Sequence, residues 1–168
     1  AALVPLLVVL FEMPLLQIAY ANLLVSYDVS LSLLFFWVGG FALFGFMLNL
    51  IREIVKDMED FEGDKAYGRK TLPVSLGQVN SRKVVTGLSF TTILLLYLAW
   101  GLFLKDIPTL LYISLFLCLP LVITCLQCVR ANQQKDYKRI SFMLKMIMLA
   151  GLLYSLFIAF FLDKMLTY

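Results

Sequence analysis

Four stretches of the chain are apolar, almost free of charge and about twenty residues long, which is what crossing roughly 30 Å of hydrocarbon requires of a helix. They run from Val29 to Ile51, Val84 to Leu104, Ile107 to Cys128 and about Phe142 to Leu162. The sequence therefore predicts an all-α, polytopic transmembrane helical bundle. A further apolar run at the start, A-A-L-V-P-L-L-V-V-L-F, brings the expected number of helices to about five. With 62% hydrophobic and 15% charged residues, the chain lies far from the soluble average of about 45–50% and about 25%.

The opening run has no initiator Met, basic region or small-residue cleavage site, so it does not read as a signal peptide. It reads as a spanning helix whose beginning lies upstream, and the chain as a piece of a longer protein. Glu12 and Pro14 mark where that helix is expected to leave the hydrocarbon, because charge at the bilayer centre is costly. Leu15 to Tyr27 is then interfacial, or else part of one continuous span kinked at Pro14. In the next span Gly39, Gly40, Ala42 and Gly45 allow close helix approach. Phe35, Phe36, Trp37, Phe41, Phe44 and Phe46 suit lipid contact and packing, or an aromatic wall beside a cation. Pro120 should kink its helix unless neighbouring groups satisfy the freed carbonyl.

What the chain lacks narrows its chemistry. It has no histidine, which excludes Ser–His and Cys–His catalysis and His-ligated zinc. Cys118, Cys125 and Cys128 lie in one apolar run and read as small buried residues, since a second C-x-x-C is missing. The net charge is only +3 with no long basic face, so no nucleic-acid partner is expected. Carboxylate, amine, guanidinium and hydroxyl groups remain.

Those groups concentrate in one place. Six of the eleven acids lie between Glu53 and Asp64, in the stretch N-L-I-R-E-I-V-K-D-M-E-D-F-E-G-D-K-A-Y-G-R-K-T-L-P from Asn49 to Pro73. Twelve of the fourteen basic residues fall in the segments 52–83 and 130–145. Lys105 and Lys164 are the other two. By the positive-inside rule the charged island at 49–83 faces the cytoplasm of a multi-pass cell-membrane protein.

At about 100° per residue, Glu53, Asp57, Asp60 and Asp64 fall at roughly 0°, 40°, −20° and 20°, with Asn49 near −40°. If the preceding helix continues into the island, these five oxygen-bearing side chains form one stripe. Glu59 and Glu62 point the other way, and Gly63 loosens the turn that carries Asp64. Like charges at this spacing repel. Lys56 offsets part of that, and a hard cation offsets more. Mg²⁺ is usually held by one or two carboxylates plus waters and phosphate oxygens. The stripe thus predicts a carboxylate–Mg²⁺–pyrophosphate bridge, with Arg52, Lys56, Arg69 or Lys70 touching phosphate directly. The bland alternative is a solvated, salt-bridged loop at a membrane surface.

The segment R-E-I-V-K-D-M-E-D-F-E-G-D-K-A-Y-G-R-K-T-L-P-V resembles the second aspartate-rich motif of UbiA-type membrane prenyltransferases. Its D-x-x-D-x-x-G-D core followed by K-T-L-P resembles most the branch typified by digeranylgeranylglyceryl phosphate synthase. The resemblance implies one transmembrane prenyltransferase domain over 1–168, the C-terminal part of a nine-helix fold whose central cavity opens to lipid. Asp60 and Asp64 match the D-x-x-x-D pair, and Asp57 the extra upstream Asp, as catalytic and Mg²⁺-binding residues. Asn49, Arg52, Lys56, Arg69 and Lys70 are the expected pyrophosphate contacts.

The implied partners are an isoprenyl pyrophosphate donor (geranylgeranyl-like), a lipid or aromatic acceptor, and the bilayer. The family's first motif, N-D-x-x-D-x-x-x-D, is absent here. The resemblance thus implies missing N-terminal helices of the same protein, without which the chain alone is inactive. Two other classes share part of the pattern. CDP-alcohol phosphotransferases also place D-x-x-x-D on a membrane helix, but with an upstream D-G-x-x-A-R that this chain lacks. A carboxylate-based cation transporter would place its acids near the bilayer midplane.

Overall fold

The computed structural model describes residues 4–19 and 31–166. Among them the chain is all-α. Helix α1 is Val4–Ala19 and α2 is Leu31–Glu59. Two short helices follow, α3 at Phe61–Ala66 and α4 at Leu72–Leu76. Then come three long ones: α5 at Gln78–Leu104, α6 at Ile107–Arg130 and α7 at Gln134–Leu166. Among the described residues, four helical stretches are long and apolar enough to cross a membrane: Phe36–Glu59, Gln78–Leu104, Ile107–Arg130 and Gln134–Phe157. The chain is an integral membrane protein by that measure, and its exposed surface agrees. Phe90, Leu102, Phe103, Leu111 and Leu152 are all at least 64% exposed, as side chains solvated by lipid would be.

The fold divides into two compact units, Ala1–Phe46 and Met47–Tyr168. In the first, α1 does not stop at Pro14 but runs on to Ala19. That continuity fits the alternative of one span running through Pro14, and the remainder of Leu15–Tyr27 from residue 20 onward lies outside the described residues. Pro14 lies inside this helix. The close approach expected at the glycines is not found at Gly40, where an added Cβ would meet nothing within 4 Å. Phe36 is 62% exposed, and Trp37 stacks on Phe41 with ring centroids 6.3 Å apart.

The second unit holds the three long helices in sequence-adjacent contact, α5 on α6 and α6 on α7. The face that α5 buries is made of Ser81, Val85, Ser89 and Thr92. Small residues let backbones approach where no hydrophobic effect drives helices together. Their hydroxyls are satisfied locally: Ser81 donates to Gly77 O at 2.9 Å, Ser89 to Val85 O at 2.8 Å and Thr92 to Leu88 O at 2.8 Å. On α6 and α7, Leu117, Leu121, Cys128, Ile140, Leu144 and Ile147 are all nearly inaccessible.

Pro120 does not break α6. The turns ahead of it, Ile113–Cys118, widen to π-helical spacing, and the helix resumes at Leu119. Such a widened turn re-registers the ladder around an imide that has no N–H to donate. The last turn of α5, Trp100–Leu104, is π-helical too. It closes on Lys105 in the left-handed region (φ 56°), while Trp100 Nε1 donates to Asp106 O at 2.8 Å and Asp106 caps α6 through the Thr109 amide.

Polar ties pin both ends of the three-helix unit. At the 105–106 end, Tyr112 OH donates to Ala150 O and Tyr154 OH to Thr109 Oγ1, each at 2.9 Å. At the other end, Arg82 of α5 donates through Nε (3.2 Å) and Nη2 (2.9 Å) to the buried Tyr137 hydroxyl of α7. Its Nη1 reaches Val129 O of α6 at 3.4 Å. One guanidinium thus joins the start of α5, the end of α6 and the start of α7.

Removing the Tyr137 hydroxyl leaves that buried guanidinium edge without its acceptor. Tyr137→Phe is expected to lower stability by about 1–2 kcal/mol, the range for hydrogen bonds to charged groups. Tyr67→Phe, at a ring 86% exposed, is expected to change nothing. Thermal melts followed by circular dichroism in detergent check both, and equal midpoints for the two variants would show that the Arg82–Tyr137 tie carries no stability.

Candidate functional site

The carboxylate stripe is held by its opposite face. Leu48, Ile51, Val55 and Met58 recur at helical spacing and are at most 1% exposed. They lie across the helix from Glu53, Asp57 and Asp60. At a helix end where water replaces lipid, burying each such side chain contributes about 1.5–3 kcal/mol. That is several times the cost of like charges three or four residues apart, so α2 stays helical through the acids to Glu59.

The helix then pauses for one residue. Asp60 takes φ −92° and ψ 8°, and α3 begins at Phe61. The hydrogen-bond ladder nevertheless crosses the pause, with Asp60 N donating to Lys56 O at 3.0 Å and Asp64 N to Asp60 O at 2.9 Å. That preserves the register, so Asp57, Asp60 and Asp64 remain on one side. Gly63 does not dissolve the last turn. Asp64, expected to sit in the loosest turn, is the most buried acid of the stripe at 6% exposure.

Asp57 is half-buried and lies within electrostatic reach of Asp64, Glu53 and Asp60, with Lys56 the compensating cation. Burial of Asp57 first, and then the neighbouring acids that spacing grouped with it, disfavour its charge. Among the described residues no three acidic, cysteine or histidine side chains converge tightly enough to hold a metal by themselves. The donor set still fits Mg²⁺, because that ion needs only one or two carboxylates and takes its other oxygens from water and phosphate.

The basic residues divide into committed and open groups. Arg52 Nη2 bonds the Glu53 carboxylate and reaches Asn49 Oδ1 at 3.5 Å. Arg69 Nη1 lies 3.4 Å from Asp64 Oδ1, and its amide donates to Asp64 O at 2.9 Å. The Arg69 side chain is 72% exposed, so only part of it is used by that pair. Lys56 and Lys70 are exposed, with no ion pair among the described residues.

One residue was missed from sequence. Thr71 precedes α4, yet its hydroxyl does not cap that helix. Thr71 Oγ1 is buried and has no hydrogen-bond partner among the described residues. Buried hydroxyls are rarely left so. The available signal was position, since Thr71 follows Lys70 in the K-T-L-P run. Downstream, α4 packs on α5 and ends at Gly77, whose φ of 82° and ψ of 155° are open essentially to glycine alone.

The sequence model of the UbiA prenyltransferase family matches residues 4–149. Among individual relatives, a digeranylgeranylglyceryl phosphate synthase of Pyrococcus horikoshii is 45% identical over 56 residues, 33% of this chain and 20% of that protein. The synthase of the same name from Methanopyrus kandleri is 42% identical over 73 residues, 39% of this chain and 27% of that protein. The one from Korarchaeum cryptofilum is 32% identical over 144 residues, 79% of this chain and 50% of that protein. The matched stretches thus span between a fifth and a half of these relatives. No solved structure matches the chain.

The Arg69–Asp64 pair is asymmetric, 72% exposed on one side and 8% on the other. Solvent screens such pairs, so Arg69→Gln is expected to cost less than about 1 kcal/mol. Thermal melts at low and high salt check this. A loss as large as that from emptying a core position would show that Arg69 is structural and not available to a ligand.

Proposed function

Because the chain belongs to the UbiA prenyltransferase family, we propose that it forms the second Asp-rich half of an intramembrane prenyl-transfer site. The observation that carries this reading is the Asp57–Asp60–Asp64 register, kept across the helix pause with the open cations Lys56 and Lys70, and the largely exposed Arg69, in the same segment. The family match favours transfer from an isoprenyl pyrophosphate over nucleotide-dependent phosphotransfer or cation transport. The names of the relatives favour a glycerol phosphate lipid as acceptor. The basic residues crowded at this end of the helices support a cytoplasmic orientation.

In this reading Asp57, Asp60 and Asp64 hold Mg²⁺, which when bound supplies positive charge against the departing pyrophosphate. Lys56, Arg69 and Lys70 offer N–H donors to phosphate oxygens, and the Thr71 hydroxyl, lacking a partner, offers one more. The allylic C–O bond of the donor breaks with its electron pair leaving on pyrophosphate. An oxygen nucleophile of the acceptor then forms the new bond and gives up its proton. The surrounding apolar helices keep water from capturing the allylic cation. Arg52, already bonded to Glu53 and Asn49, acts in this scheme by keeping Asn49 and Glu53 in place at the stripe's start.

Membranes from cells expressing the full-length protein, with the upstream helices that carry the other half of the site, given labelled geranylgeranyl pyrophosphate and a glycerol phosphate acceptor, are expected to show Mg²⁺-dependent transfer without any cytidine nucleotide. Asp60→Asn and Asp64→Asn are each expected to reduce it about a hundred-fold or more, the scale for removing charge stabilisation in a water-poor site. Membrane insertion should be unaffected. Wild-type turnover in either variant, or an absolute need for a cytidine nucleotide, would overturn the assignment.

A further inference from the structure

A second charged feature lies at the α6–α7 end and takes no part in the prenyl-transfer scheme. Gln127 near the end of α6, and Lys135, Lys138 and Arg139 in the first turns of α7, line an open cleft of about 630 Å³ whose inner rim is Phe142 and Met143. That volume is in the range of small-ligand sites. No carboxylate lines it. The nearest acid in sequence, Asp136, is held elsewhere, its Oδ2 accepting from the backbone amides of Asn132 and Gln133 at 3.1 Å each. Asp136 acts on Arg139 only through space. Among the described residues none of the three cations is in a salt bridge.

The side chains beyond the cations on α7 matter more. Lys135, Lys138, Arg139 and Phe142 share one face of α7 by the three- and four-residue rule, and the face continues through Met146, Leu149 and Leu153. Those four apolar side chains are between 47% and 63% exposed. A cationic cleft therefore opens directly onto an exposed apolar stripe of a helix long and apolar enough to span a membrane. That complements a molecule with a phosphate at one end and hydrocarbon at the other. A free phosphate would use only the first half. The wall behind the cleft is rigid, because Tyr137 on the opposite side of α7 is buried and tied to Arg82.

We propose that the Gln127–Lys135–Lys138–Arg139 cleft binds the phosphate headgroup of an anionic bilayer lipid, whose chains lie along Phe142, Met146, Leu149 and Leu153. Two or three N–H donors meet the phosphate oxygens, and lipid replaces lipid along the stripe, so specificity resides in the headgroup.

The test is native mass spectrometry of the full chain in detergent with phosphatidylglycerol, diacylglycerol or inorganic phosphate added. One phosphatidylglycerol is expected to be retained and diacylglycerol lost. Each cation near an anionic surface is worth about five-fold, so Lys135→Gln/Lys138→Gln/Arg139→Gln should weaken retention about a hundred-fold. The single variant Lys138→Gln, expected to weaken it about five-fold, covers the case in which the triple variant misfolds. Arg130→Gln, a neighbouring cation that does not line the cleft, should leave retention unchanged. Equal retention of diacylglycerol, equal loss in Arg130→Gln, or no loss in Lys138→Gln would overturn the site. Displacement of phosphatidylglycerol by millimolar inorganic phosphate would also overturn it, marking a free-phosphate site instead.

Discussion

Everything polar in this chain is governed by the cost of an unsatisfied backbone group in hydrocarbon. A spanning segment must close its hydrogen bonds within itself, which leaves helix as the form available to each apolar run. The same cost explains how the irregularities are handled. Around Pro120 and at the end of α5 the backbone widens to π-helical turns, so carbonyls find donors without opening to lipid. Serine and threonine on α5 bond their own helix. The chemistry that needs charge and water is thereby pushed to the helix ends.

At those ends a different balance applies. Where α2 leaves the apolar region, burial of Leu48, Ile51, Val55 and Met58 becomes worth its full value and can hold a helix together against its own carboxylates. The repulsion among Asp57, Asp60 and Asp64 is then stored in a fixed register instead of being relieved by unfolding. A divalent cation or the neighbouring lysines can relax it. This is a physical reason for an acid-rich stripe to sit on a helix end and not in a loop, where the same residues would separate.

The spans and the stripe were legible in the sequence because both rest on local periodicity. Helix ends were not. Apolar runs mark the edges of hydrocarbon, whereas α2, α5 and α7 extend beyond them as charged turns to Glu59, Gln78 and Gln134. The condition attached to the stripe, that α2 continue into the island, is met through Glu59, and the interruption at Asp60 was invisible because hydrogen bonds on either side preserve the spacing. Thr71 and the Arg82–Tyr137 tie escaped for a different reason. The latter joins residues 55 apart, and no local pattern announces such a partner.

That long-range tie also bears on how the proposed pyrophosphate-binding segment and the proposed lipid cleft are held. Arg82 sits in the first turns of α5, four residues beyond the start of the helix that α4 packs against, and reaches both α6 and α7. The segment carrying Lys70 and Thr71 is therefore anchored to the same rigid corner as the Lys135–Arg139 cleft. The Arg82 guanidinium itself is taken up by the Tyr137 hydroxyl and the Val129 carbonyl. Its charge holds helices together and is not offered to either ligand.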